Sequence, residues 1–119
     1  MHEMGTVLTI VDTVEDLCRQ YRVPALGYVK VEVGELSSVL SKYLLLLWPQ
    51  GTKGTVCEGV PLQLEQKEGI AQCRGCGKQY RVTDHLEEGY PVCPFCDSKN
   101  YSIVQGADIF VTELGIPDS

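Results

Sequence analysis

The chain has 119 residues, of which 44% are hydrophobic and 22% are charged, so it has the length of one domain and the composition of an ordinary globular protein. Its net charge of −6 argues against nucleic-acid binding, because phosphate contacts need clustered Lys and Arg. The strongest apolar run, 44–48, is too short to span a bilayer, and no basic segment precedes an apolar one near the start. We therefore expect a cytoplasmic protein with no membrane and no nucleic-acid partner, whose six cysteines are metal ligands or buried thiols rather than disulfides.

The first predicted element is a helix over Met4–Tyr21. Its apolar residues recur at steps of three and four, which is the spacing of one helix face. They are Met4, Val7, Leu8, Val11, Val14, Leu17, Cys18 and Tyr21. The helix should end before Pro24, because the residue that precedes a proline disfavours the helical region. Cys18 lies on the predicted buried face and is interpreted as a small core residue.

A strand and a second helix are predicted next. Over 26–33, valines alternate with polar residues, which is typical of a strand with one buried face. Residues 38–48 predict a more apolar helix. We expect Pro49 and Gly51 to end it.

Alternation over 60–65 and the β-branched and aromatic stretch 109–114 predict two further strands. The sequence thus predicts an α+β fold: a small core of two helices and a three-stranded sheet, with an inserted four-cysteine module of the zinc-ribbon type. We expect residues 1–70 and 101–119 to form the core and residues 71–100 to form the inserted zinc-binding domain.

The most specific motif consists of two Cys-x-x-Cys pairs with sixteen residues between them. The four cysteines are Cys73, Cys76, Cys93 and Cys96. This spacing predicts a four-thiolate zinc site, in which each pair sits on a tight turn and the intervening hairpin brings the two turns face to face. Gly75 and Gly77 give one turn its backbone freedom, and Pro94 stiffens the other. Four protein ligands leave no open position on the metal, so the zinc is predicted to be structural.

Three alternatives compete with structural zinc. A redox Cys-x-x-Cys of the thioredoxin type should open a helix in a βαβ unit, and neither pair does so. A rubredoxin-type iron site uses the same tetrahedral thiolates and stays open, although a colourless protein would exclude it. A ribbon that binds nucleic acid should have a basic face, whereas the charges between the first and last of these cysteines cancel.

Two further residues are candidates for a site role. His85 lies in the hairpin between the cysteine pairs, beside acidic residues, and is interpreted as an exposed polar residue. Its alternative role is that of a substitute ligand or a pH sensor, since an imidazole titrates in the physiological range. Cys57 stands alone in the sequence and is interpreted as structural.

Taken together, these motifs resemble those of the HypA/HybF family of nickel-incorporation proteins for hydrogenase maturation. The resemblance covers nearly the whole length, and the order and spacing of its segments are specific. The segments are "MHE" at 1–3, "VGELSSV" at 33–39, "TKGT" at 52–55, "CRGCG" with "CPFCDS", and "VQGADIFVTEL" at 104–114. The resemblance implies a structural Zn(II) on the four cysteines and a Ni(II) site at the N-terminus, where Met1, His2 and Glu3 match the nickel motif.

The family resemblance also implies a function. A member delivers nickel to a [NiFe]-hydrogenase large-subunit precursor with the help of a HypB-type GTPase, and some members also serve urease maturation proteins. No nucleophile–base pair or phosphate loop stands out in this chain, so the prediction is a metallochaperone that is not an enzyme. The alternative is a zinc-ribbon interaction adaptor in transcription or RNA metabolism, for which His2 would be dispensable.

Coordination chemistry explains why a histidine directly after Met1 suits nickel. The Met1 amine, the deprotonated His2 amide and the His2 imidazole can bind one ion, and the Glu3 amide can complete a plane of four nitrogens. Nickel(II) favours such a tetragonal nitrogen set, whereas zinc prefers tetrahedral sites. We expect the Glu3 carboxylate to tune the site or to dock a partner rather than to bind the metal.

Overall fold

The computed structural model describes residues 2–117, with side chains from Glu3 onward. In chain order the elements are α1 (His2–Tyr21), β1 (Tyr28–Gly34), a 3-10 turn (Glu35–Ser37), α2 (Ser41–Gly51), β2 (Leu62–Lys67), β3 (Ile70–Cys73), β4 (Gln79–Arg81), a second 3-10 turn (Val82–Asp84), β5 (Leu86–Glu87), β6 (Tyr90–Pro91), β7 (Tyr101–Gln105) and β8 (Ile109–Gly115). Neither of the two helices found in this part of the chain is long and apolar enough to cross a membrane.

The chain forms two compact units, and each has its own sheet. The first unit comprises the chain up to Val33, Val39–Glu65 and the chain from Phe110 onward, and the second comprises Gly34–Ser38 and Gln66–Ile109. One three-stranded sheet has the order β2-β1-β8 and the other the order β4-β3-β7, while β5 and β6 form a two-stranded hairpin. The α+β class, the two helices and the three-stranded sheet β2-β1-β8 are confirmed, whereas the second three-stranded sheet, β4-β3-β7, goes beyond the prediction.

The apolar periodicity of α1 predicts its buried face with two exceptions. Val7, Val11, Val14 and Cys18 are buried as expected, but Leu8 and Tyr21 are exposed, and Ile10, which is outside the predicted set, is buried at 4% exposure. Leu8 and Ile10 lie on opposite edges of the apolar stripe, and a period of 3.6 residues alone does not decide which edge is covered.

The end of α1 is confirmed, and its backbone explains it. Arg22 has a left-handed φ of 56°, and the Val23 amide donates to the Cys18 carbonyl at 2.8 Å. This is the Schellman arrangement, which satisfies a carbonyl of the last turn and turns the chain away ahead of Pro24.

The second helix ends at Gly51, one of its two predicted stops, but the other prediction is wrong, because Pro49 lies inside α2. Its last turn is held by buried groups. The Trp48 indole N–H donates to the Val60 carbonyl at 2.7 Å, and the buried Thr52 donates to the Trp48 carbonyl both from its amide, at 3.1 Å, and from its hydroxyl, at 2.8 Å. A proline this close to the helix end removes one backbone bond, which these contacts offset.

The strand β1 shows the alternation expected from the sequence. Val29, Val31 and Val33 are all fully buried, and the intervening side chains are half-buried. On that other face, Lys30 lies 3.6 Å from Glu65 of β2, and its carbonyl accepts the Thr112 hydroxyl of β8 at 3.3 Å. These contacts join the central strand to both neighbours.

The second unit has a small core built on β3. Its buried residues are Ala71, Cys73, Tyr80, Val82 and Cys93. The antiparallel register places Ala71 opposite Tyr80 of β4 and opposite Ile103 of β7. Two of the five core residues are cysteines of the predicted metal site, so the core and the site share side chains.

Candidate metal centre

Each Cys-x-x-Cys pair occupies the same kind of turn. In the first, the Gly77 amide donates to the Cys73 carbonyl at 2.9 Å, and the Cys73 amide donates to the Lys78 carbonyl at 2.9 Å. In the second, the Asp97 amide donates to the Cys93 carbonyl at 2.9 Å, and the Cys93 amide donates to the Ser98 carbonyl at 3.0 Å. Two equivalent turns therefore present two pairs of sulfurs.

Two features of these turns restrict which residue can occupy a position. One is a left-handed backbone, and the other is a lack of room for a side chain. Gly77 and Asp97 occupy matching positions with φ of 77° and 63°, in the left-handed region that glycine adopts freely and aspartate tolerates. Gly75 lies in a tight place, because an added Cβ would lie 3.3 Å from Ser98 Cβ and 3.4 Å from Cys96 Sγ. The sequence indicated that these glycines matter, and the structure separates their roles.

The four sulfurs converge on one point. All four Sγ atoms lie within 4.8 Å of one another, with Cys73 Sγ 3.5 Å from Cys96 Sγ and Cys76 Sγ 3.7 Å from Cys93 Sγ. A tetrahedral ion with metal–sulfur bonds of about 2.3 Å needs sulfur–sulfur edges of about 3.8 Å. The donor set and its spacing therefore fit a tetrathiolate metal site, with Cys73 and Cys93 buried and Cys76 and Cys96 exposed.

The thiols of this site differ in acidity. The Cys76 amide and then the Gly75 amide, which point at Cys73 Sγ from 3.4 Å and 3.2 Å, lower the pKa of Cys73 to about 6. The Ser98 amide lowers the pKa of Cys96, but hydrogen bonding to the Cys73 sulfur and burial outweigh it and raise that pKa to about 12. Metal binding at neutral pH must therefore displace at least the Cys96 proton, and affinity should fall as the pH is lowered.

An ion pair that the sequence analysis missed supports the second unit. Arg81 Nη2 lies 2.6 Å from Glu35 Oε2, and Arg81 Nε lies 3.3 Å from a Glu68 carboxylate oxygen. The Gly69 amide also donates to Glu35 Oε1, at 2.9 Å. Glu35 thus holds the 3-10 turn Glu35–Ser37 to the β3–β4 region, which gives a physical role to the "VGELSSV" motif.

The substitution Glu35→Gln is expected to destabilise the protein in a pH-dependent way. The Arg81 hydrogen bond, followed by the Gly69 amide, holds the pKa of Glu35 below its usual range. Such a carboxylate adds stability above its unfolded pKa, about 4.3, and loses it as the pH falls through the lower folded value. Melting temperatures measured from pH 7 to pH 3 should therefore show a gap between wild type and variant that closes toward pH 3. The exposed Glu87→Gln is the matched control, and an equal gap at every pH would contradict the ion-pair role.

His85 was expected to be exposed, and this is wrong. Its ring is half-buried and meets the Tyr80 ring edge-on, with centroids 6.0 Å apart. Within residues 2–117, the groups that converge as metal ligands are the four thiols, and His85 is not among them. Packing on Tyr80 explains the burial, and no local pattern around His85 indicates it.

The two remaining cysteines are buried in the first unit, as predicted. Cys57 is fully buried and Cys18 is 7% exposed. Burial raises the pKa of Cys57 to about 11 and also raises that of Cys18. Thiols that stay protonated at neutral pH are weak nucleophiles and weak ligands, which suits residues that only pack.

The predicted nickel motif lies at the start of α1. Met1 and the His2 side chain are outside the described residues, while the helix itself begins at His2. Glu3 is half-buried and lines a cavity of about 430 Å³ together with Tyr43, Leu46 and Leu47 of α2.

Comparison with known proteins agrees with this architecture. Residues 1–116 match the family model described as "Hydrogenase/urease nickel incorporation, metallochaperone, hypA". The chain is 30% identical to the hydrogenase maturation factor HypA of Chlorobium limicola, over 99% of this chain and 98% of that protein. It is also 30% identical to the HypA of Crocosphaera subtropica, over 99% of this chain and 97% of that protein.

A solved structure shows the same fold. The solution structure of the Ni metallochaperone HypA from Helicobacter pylori superposes with a TM-score of 0.73 at 21% identity, covering 96% of each chain. The family model, the curated relatives and this fold agree over nearly the full length. The chain therefore belongs to the HypA family of hydrogenase and urease nickel-incorporation metallochaperones.

Proposed function

We propose that the chain binds Ni(II) at its N-terminus, through Met1, His2 and Glu3, and delivers it to a [NiFe]-hydrogenase large-subunit precursor during maturation. The observation that carries this proposal is the family match, which begins at residue 1 and so includes the "MHE" segment. A HypB-type GTPase is the proposed partner, and urease maturation proteins are a second client group.

The backbone at the start of α1 supports amide coordination. The helix begins at His2, so the amides of His2 and Glu3 belong to the first turn, whose N–H groups have no acceptor within the helix. Deprotonating them for nickel therefore breaks no helical hydrogen bond. The partial positive charge of a helix N-terminus opposes a cation, but two amide anions and the Glu3 carboxylate reverse the local charge.

The four-cysteine site is proposed to hold Zn(II) in a structural role. Its four ligands fill a tetrahedron and leave no position for substrate. We assign the zinc-binding role to the second unit, which contains the predicted insertion 71–100, and the nickel-binding role to the first unit. Zinc then binds to thiolates and nickel binds to nitrogens, so the two sites of this small chain select different metals.

The remaining assignments follow from this role. The protein acts as a carrier in the cytoplasm and not as an enzyme, with no membrane and no nucleic-acid partner. GTP hydrolysis is assigned to the partner.

Complementation tests the proposal. A bacterium that makes a [NiFe]-hydrogenase but lacks its own HypA should regain nickel in the large subunit, and hydrogenase activity, when it expresses this chain. His2→Ala should restore neither in nickel-poor medium, because the ligand set is lost, whereas His85→Gln should restore both. If His2→Ala restores nickel as well as wild type does, delivery from the N-terminus is wrong.

A further inference from the structure

The two cysteine turns of the metal site contact each other through groups other than sulfur. The Lys78 ammonium lies over the Phe95 ring, 4.7 Å from its centroid. Lys78 comes two residues after Cys76 of the first pair, and Phe95 lies between the two cysteines of the second pair. This cation–π contact therefore joins one turn directly to the other.

A backbone hydrogen bond and close packing also join the two turns. The Arg74 amide donates to the Asn100 carbonyl at 2.9 Å. Gly75 lies close to Ser98, since a Cβ added to this glycine would lie 3.3 Å from Ser98 Cβ. Together with the cation–π contact, these interactions are spread along both turns. Such an arrangement resists rotation of one turn against the other.

Burial does not explain the aromatic residue in the second turn. The Phe95 side chain is 57% exposed and lies outside the buried core of the second unit. Lys78 is exposed as well. What the ring does in this structure is to provide a face on which the ammonium of the first turn rests.

A four-thiolate site in a nickel carrier must hold zinc in the presence of nickel. Selectivity among divalent metals depends on coordination geometry and ligand type more than on raw affinity. Zinc takes a tetrahedron, in which the two sulfur pairs are perpendicular, whereas Ni(II) favours a tetragonal plane, in which they are coplanar. Replacing zinc by nickel in its preferred geometry therefore requires one cysteine turn to rotate against the other.

We propose that the Lys78–Phe95 contact is a specificity determinant that disfavours nickel at the four-cysteine site, because it holds the two turns in the arrangement that a tetrahedral ion needs. This inference rests on the proposed zinc role of the cysteines and on the proposed nickel cargo. Lys78 and Phe95 are positioning residues, since they act through the turns and not as ligands. Their contact helps to confine nickel to the N-terminal site.

The test compares Phe95→Leu with Phe95→Tyr in the full chain. Both are made in a zinc-loaded parent that carries His2→Ala, so that the proposed N-terminal site does not take up the nickel. Ni(II) is titrated in, and the released zinc and the sulfur-to-nickel charge-transfer absorbance give the ratio of zinc affinity to nickel affinity. Because an exposed cation–π contact is weak, we expect Phe95→Leu to lower this ratio about two- to fivefold. Phe95→Tyr keeps an aromatic face and should keep the ratio of the parent.

A double-mutant cycle assigns the effect to the contact. Lys78→Gln should lower the ratio as much as Phe95→Leu does, and the double variant should be no lower than either single variant. Arg74→Gln is the matched control, because it removes an exposed cation of the same turn and keeps the backbone amide. It should leave the ratio unchanged.

The ratio separates this role from a general loosening of the fold. A change that only loosens the site weakens both metals alike, so an unchanged ratio in Phe95→Leu would overturn the proposal. An equal fall of the ratio in Arg74→Gln would also overturn it, since loss of any cation would then suffice. A parent protein that holds no zinc would contradict the zinc assignment itself, and metal analysis shows that outcome before any nickel is added.

Discussion

Loss of metal from the four-cysteine site is expected to unfold the second unit, with a loss of about 10 kcal/mol or more of stability at neutral pH. The core of this unit has five buried residues, and two of them, Cys73 and Cys93, are ligands. So small a core supplies little hydrophobic stabilisation by itself.

Cys96→Ala is the variant that tests this dependence, because its side chain is exposed and contributes little packing. We expect its zinc content to fall to a small fraction of wild type and the amides of β3 and β7 to lose their protection from hydrogen exchange. Cys18→Ala, which is buried in the first unit, should keep full zinc content at a cost of about 1 kcal/mol. If chelation of zinc from wild type leaves β3 and β7 protected, the metal is not what holds this unit together.

Local patterns predicted the secondary structure well, because each acts over a few residues. The alternation of valines in β1 and the three- and four-residue steps of α1 correspond to real faces of those elements. The errors arose where tertiary contacts overrode a local rule. Pro49 lies inside α2 because buried Trp48 and Thr52 hold the last turn, and no pattern near Pro49 reveals the Val60 carbonyl that receives the indole.

The metal site was predictable in part, because the spacing of its cysteines is also a local pattern. Cysteine spacing sets which sulfurs meet, since both turns are local and one hairpin joins them. The pairing of Arg81 with Glu35 joins residues that are 46 positions apart, and charged residues on a strand and a turn carry no sign of their partner.

Nickel binding at the N-terminus is expected to disappear when either the His2 imidazole or the Met1 amine is removed. Micromolar binding corresponds to about 8 kcal/mol, and loss of a chelating nitrogen should weaken it to millimolar or beyond, a change of at least about 4 kcal/mol. Calorimetry at neutral pH on zinc-loaded protein measures this for wild type, for His2→Ala and for a chain with two extra residues ahead of Met1. The extension has two residues, because a single added residue would make His2 the third residue of the chain and recreate a planar set of four nitrogens.

The controls separate the backbone from the side chain at Glu3. Glu3→Gln keeps the backbone amide and should therefore keep most of the nickel affinity. If this variant lost nickel affinity, the Glu3 carboxylate would be a ligand. Affinity of the wild type should also fall as the pH drops, since protons compete for an amine that titrates near 7.7–8.0 and an imidazole near 6.5. Equal binding by wild type, His2→Ala and the extended chain, at constant zinc content, would place nickel elsewhere. The first-turn amides of α1 have no acceptor within the helix, so nickel binding to them breaks no helical hydrogen bond. The helix therefore stays intact when nickel is transferred to the client protein.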